Sequence, residues 1–84
     1  MLTDAQLSKL RWRCRRGLLE NDIILGRVLE RRGAHFNDDE HAQLLTLIDL
    51  ADHDLWNIIA GRSDDYPAHC DAMVRTLREA RVTP

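Results

Sequence analysis

Apolar residues recur along this chain at helical spacing, and the two-residue alternation of a strand is absent. Leu7, Leu10 and Cys14 fall at i, i+3 and i+7. Thr3 stands ahead of them as an N-cap, Gln6 completes a capping box, and Leu2 is placed to staple onto Leu7. The pattern predicts a first helix closed by Gly17. A second helix is predicted from about Leu18 to Arg32, with Leu18, Leu25, Val28 and Leu29 as its inner stripe and Gly33 at its end. Gly26 inside it disfavours helix by about 1 kcal/mol relative to alanine, which points to a neighbouring helix passing close there.

"FNDDEHAQLLTLIDL" opens a third helix, capped by Asn37 and favoured by the acids Asp38, Asp39 and Glu40 at the positive end of its dipole. Leu44, Leu47, Ile48 and Ala51 follow on one face. Asp52 is the expected cap of a short fourth helix, "HDLWNIIA", ended by Gly61. After "GRSDDYP", with Pro67 tolerated in a first turn, a fifth helix turns Cys70, Met73, Val74 and Leu77 inward. The expected fold is all-α: one domain over residues 1–84, a compact bundle of about five short helices with short connections.

A chain of 84 residues, 44% hydrophobic and 31% charged, has the balance of a soluble globular protein. No apolar run approaches the roughly 18 residues that span a bilayer, so membrane insertion is not expected. "MLTDAQLSKL" lacks the apolar segment of a signal peptide. Cys14 and Cys70 lack CxxC spacing; buried thiols are the favoured reading, with a lone disulfide left open. Residues 1–33 carry eight basic and four acidic groups, net +4, and residues 34–84 carry four and ten, net −6. Such asymmetry suits oriented docking or simply two solvated faces.

Catalytic chemistry is thinly represented. Serine occurs only at Ser8 and Ser63, neither in a nucleophile elbow. There is no glycine-rich phosphate loop. His35, His41, His53 and His69 show no metal-ligand spacing. The acids Asp38, Asp39, Asp52, Asp54, Asp64 and Asp65 sit where helix starts favour them. The reading is not an enzyme, with no metal and no tightly bound cofactor.

The stretch "KLRWRCRR", five cations in eight residues around Trp12, is the unusual feature. With Leu7, Leu10 and Cys14 facing the core, Trp12 and Arg16 land on roughly the far side, with Lys9 and Arg13 beside them. Arg11 and Arg15 flank the core stripe. An aromatic ringed by arginines has the composition of a binding hot spot. Coverage of Trp12 by another helix of the bundle is an equal alternative. Arg16 and Glu20 bracket Gly17, and as a surface pair they would add only about 0–1 kcal/mol. Presentation to a partner explains them better than stability does.

"CRRGLLENDIILGRVLE" resembles the signature of the small succinate dehydrogenase FAD-assembly factors, whose hallmark Arg-Gly-x-x-Glu falls here on Arg16, Gly17 and Glu20, with Trp12 matching a frequent aromatic. "LIDLADHDLWNIIAG" is similar to the family's later block, with Asp52, Asp54, Leu55 and Trp56 in register. Asn21 departs from a common leucine and Val28 from a common aromatic.

The resemblance implies a non-enzymatic factor. It would bind the flavoprotein subunit of succinate dehydrogenase, or in some bacteria that of fumarate reductase, and promote attachment of FAD to a histidine of that subunit. The flavin would belong to the partner. Arg16, Gly17 and Glu20 would form the contact, Trp12, Arg11, Arg13 and Arg15 would widen it, and Asp52 and Asp54 would join from the second block. A monomer in the bacterial cytoplasm is expected. The rival readings are a small nucleic-acid-binding module using the Lys9–Arg16 helix, opposed by a pI near 6.0, and an antitoxin-type interaction protein.

Overall fold

Thr3 opens the bundle with the reciprocal cap that its sequence calls for. Its Oγ1 accepts from the Gln6 N–H at 3.1 Å, and its own N–H donates to Gln6 Oε1 at 2.9 Å. The computed structural model describes residues 2–14 and 18–82. Among these, five α-helices follow one another: α1 (Asp4–Arg13), α2 (Leu19–Arg32), α3 (Asp38–Ile48), α4 (Asp52–Ile59) and α5 (Asp71–Val82). Single 3₁₀ turns at Gly33–His35 and Ala68–Cys70 join α2 to α3 and lead into α5. The all-α expectation is met.

α2 packs most extensively on α5 and also touches α4, while α3 rests on the Ala68–Cys70 turn and α5. Their shared core contains Leu10, Leu25, Phe36, Leu44, Leu47, Leu55, Ile58, Ile59, Val74 and Leu77, all essentially without solvent exposure. Leu2, Cys14, Ile24, Val28, Leu29, Ile48, Cys70, Met73 and Ala80 complete it. Cys14 and Cys70 are both buried thiols, not joined to each other.

Several boundaries differ from expectation. α1 ends at Arg13, with Cys14 as C-cap, ahead of Gly17; Gly17 lies outside the described residues. Gly33 does end α2, but at φ −54° it runs straight into the 3₁₀ turn. Its glycine is explained by space: an added Cβ would meet Leu7 Cδ1 at 2.9 Å, where α1 lies against the turn. Gly26 faces the opposite way. Among the described residues nothing from another element lies within 4 Å of a Cβ built there, so the expected close approach of a neighbouring helix is not found. α3 stops at Ile48, so Ala51 is the exposed N-cap of α4 and does not reach the core. Asp52 becomes the first residue of α4, one position inside the N-cap that Ala51 occupies. Gly61, at φ +80°, closes α4 as predicted, in the left-handed conformation that glycine adopts without a Cβ clash.

Polar side chains tie the helix ends together. Asn37 and Glu40 form the second capping box, and Glu40 also receives Arg32 at 3.1 Å, fixing the end of α2 to the start of α3. The buried Gln43 of α3 accepts from the Met73 N–H at 3.1 Å and so caps α5 from a different helix, while its Nε2 donates to Asp39 at 2.9 Å. Arg78 donates to the carbonyls of Ile58 and Ser63 and to Asp64, holding the loop after Gly61 against α5.

Candidate functional site

The sequence-predicted site gathers where the last turn of α1 and the first turn of α2 approach the same corner. Arg15, Arg16 and Gly17 lie outside the described residues; their flanks are defined. On the α1 side stand Arg11, Trp12 and Arg13, and on the α2 side Leu18 as N-cap, then Leu19 and Glu20.

Trp12 is 74% exposed, so no helix of the bundle covers it. Capping and the core demands of Leu7, Leu10 and Cys14 fix the rotation of α1, and that rotation turns the indole outward. Glu20 is also exposed, and it makes no hydrogen bond or ion pair with another described residue. Its place in the first turn of α2 favours a negative charge by about 0.3–1 kcal/mol.

The arginines divide. Arg13 Nη2 donates to Asp49 Oδ1 at 2.6 Å across to the α3–α4 connection, with the two side chains 39% and 69% exposed. Arg11 turns the other way, into an open trough between α1 and α2 of about 790 Å³. Because Arg13–Asp49 and Arg32–Glu40 each join a basic residue of the first segment to an acid of the second, the two charge halves of the sequence interleave in space.

The second block is mostly structural in its contacts. Leu55 is fully buried, and Trp56 packs against the core under the Arg81 guanidinium, 5.7 Å from the ring centroid. Asp54 is exposed on the first turn of α4. Asp52 bears directly on the corner: its carbonyl accepts from Asn21 Nδ2 at 3.0 Å, next in the chain to Glu20. Asn21 is fully buried, and its Oδ1 has no hydrogen-bond partner. One buried amide thus joins the two sequence blocks.

Sequence reasoning missed two neighbours of the corner, Leu19 and Ile23, which are 66% and 45% exposed. Their four-residue spacing places them together on the outer face of α2. An apolar pair on the face opposite Leu25 and Val28 was the available signal. Among the described residues no three His, Cys, Asp or Glu side chains gather as a metal site, and no helix is long and apolar enough to cross a membrane.

The family model described as "Flavinator of succinate dehydrogenase" matches residues 8–81, from the middle of α1 into the last turn of α5. The chain belongs to this family. It is similar to the FAD assembly factor SdhE of Ralstonia nicotianae, with 44% identity over 57 residues, 68% of this chain and 60% of the relative's length. The FAD assembly factor SdhE of Xylella fastidiosa is 36% identical over 74 residues, covering 88% of this chain and 76% of the relative. That of Pseudomonas syringae pv. syringae is 31% identical over 84 residues, covering 100% and 99%. No solved structure matches. These relatives give no support to the nucleic-acid or antitoxin-type readings, and the Arg13–Asp49 pair already neutralises part of the cationic helix the former relied on.

Proposed function

We propose that this chain is an assembly factor that binds the flavoprotein subunit of succinate dehydrogenase and holds it in the conformation in which FAD becomes covalently attached. The observation that carries the reading is a family match running through all five helices, with Trp12 uncovered and Glu20 making no bond to another described residue at the corner bearing the hallmark. The flavin and the histidine that bonds to it belong to the client. The factor supplies a shaped, charged surface of Trp12, Arg11, Arg13, Arg15, Arg16, Gly17 and Glu20. Asp54 widens it, and the Asp52 carbonyl steadies the start of α2 through Asn21.

Such a surface accelerates the client's own reaction by differential affinity. Binding the reactive conformation tenfold more tightly than the unreactive one shifts their ratio tenfold, worth about 1.4 kcal/mol. Orientation of the reacting atoms within the client is where the rate gain arises, so the factor needs no nucleophile of its own. In this reading a single copy acts in the bacterial cytoplasm, and the flavoprotein of fumarate reductase is a second client.

The test mixes purified apo-flavoprotein subunit and FAD with and without the factor, and reads covalent flavin fluorescence after denaturing electrophoresis. Faster labelling with the factor supports the proposal; an unchanged rate contradicts it. Substituting the fumarate reductase subunit tests the second client.

A further inference from the structure

Gly26 sits in the middle of α2, where glycine is the poorest helix former apart from proline. The usual reasons for a mid-helix glycine fail: its backbone is helical, and beyond its chain neighbours and the backbone of its own helix no atom of the described residues lies within 4 Å of where a Cβ would stand. The space it leaves opens into the trough between α1 and α2, which Ile23, Gly26, Arg27 and Glu30 line from α2 and Arg11 lines from α1. Leu19 and Ile23 continue the same face toward the corner. The trough is therefore an apolar extension of the Trp12–Glu20 surface with room left over a glycine.

Its charges are placed asymmetrically. Arg27 donates to the Ala80 carbonyl at 3.0 Å and is committed to the end of α5. Arg11, on the α1 wall, and Glu30, on the α2 wall, make no ion pair with another described residue. Asp22 also lines the α2 wall but already has a partner, so a segment lying along the trough meets the Arg11 cation on one side and the Glu30 carboxylate on the other.

We infer that this trough receives a segment of the flavoprotein client, with an apolar side chain seated over Gly26 and flanked by an acid facing Arg11 and a base facing Glu30. The inference rests on the proposed function and specifies how far the docking surface runs. The open form of the trough and its continuity with Trp12, Leu19 and Glu20 favour a protein edge over a small molecule.

The experiment compares the full chain with Gly26→Leu, Ile23→Glu and Glu20→Ala, measuring the melting temperature and the dissociation constant for the purified flavoprotein subunit. Leucine at position 26 points into open space, so Gly26→Leu is expected to melt at or above the parent temperature and to bind at least tenfold more weakly. Ile23→Glu, on an exposed wall, is expected to melt like the parent and weaken binding similarly. Parent-like binding by both, with Glu20→Ala impaired, overturns the trough proposal and leaves the corner reading standing. Failure of the parent chain to bind the subunit overturns both. Concentration-dependent self-association that Gly26→Leu removes, with client binding intact, assigns the trough to a second copy and overturns the proposal.

Discussion

Asn21 donates its side-chain amide to the Asp52 carbonyl, while its own carbonyl oxygen, buried with it, accepts nothing. A buried unsatisfied acceptor costs about 1–3 kcal/mol, more than the roughly 1 kcal/mol that a neutral hydrogen bond returns. Asn21→Leu is therefore expected to raise stability by about 1 kcal/mol, a gain of about 4–8 °C in melting temperature for a domain of this size. Asn21→Asp would place a carboxylate against that carbonyl and should lower stability by several kcal/mol at neutral pH. Burial raises such a carboxyl's folded pKa, so the loss would grow as pH rises above the ordinary carboxylate range and ease in acid. Thermal melts from pH 4 to pH 8 check both variants.

Gly26 and Gly61 predict opposite outcomes for one substitution. At Gly26 an alanine meets nothing and favours helix, so Gly26→Ala should gain about 0.5–1 kcal/mol. At Gly61 the φ of +80° strains any residue with a Cβ, so Gly61→Ala should lose about 1–2 kcal/mol. Urea denaturation of the two variants, with unchanged slopes, reads the difference directly.

Cys70 is fully buried, its thiol directed at the Gln43 carbonyl at 3.7 Å. Burial pushes its pKa above the ordinary thiol value, opposed by Thr46 and assisted by Asp39. Its contribution to stability is full below the unfolded thiol pKa and declines as pH rises through the folded one. With Cys14 buried as well, the native protein is expected to resist iodoacetamide at pH 8 and to react at both thiols once unfolded. Rapid alkylation of the native chain, followed by mass spectrometry, would contradict this placement.

Trp12 separates binding from stability. With 74% of its surface already in water, Trp12→Ala should change stability by no more than about 0.5 kcal/mol. An aromatic hot spot typically carries about 2 kcal/mol or more, so affinity for the flavoprotein subunit should fall about 30-fold. Calorimetric titration beside a thermal melt distinguishes this from a folding defect.

The helices were legible because local chemistry decides them: Thr3–Gln6 and Asn37–Glu40 are caps written within four residues, and Leu44, Leu47 and Ile48 repeat at the helical period. What escaped depended on long-range geometry. Gln43 caps α5 across 30 residues of chain, and Asn21 reaches Asp52 across 31, distances at which no local pattern exists. Gly26 suggests a close approach and is open instead, because a sequence does not reveal which side of a helix its neighbours occupy. Ala51 and Asp52 were misplaced by one short break, since α3 ends one turn earlier than its apolar stripe suggested. The exposure of Trp12 was undecidable from composition and became definite only when the core fixed the rotation of α1.

The central claim is that the corner carrying Glu20 steers a flavoprotein into the geometry of flavin attachment. The most direct measurement expresses Glu20→Ala in cells lacking their own factor and reads covalent flavin fluorescence of the succinate dehydrogenase subunit in a denaturing gel. Loss of a central interface charge costs about 2–5 kcal/mol of binding. The account predicts a folded variant with a melting temperature near that of the parent and a client band without covalent flavin. Full flavinylation by that variant would contradict it.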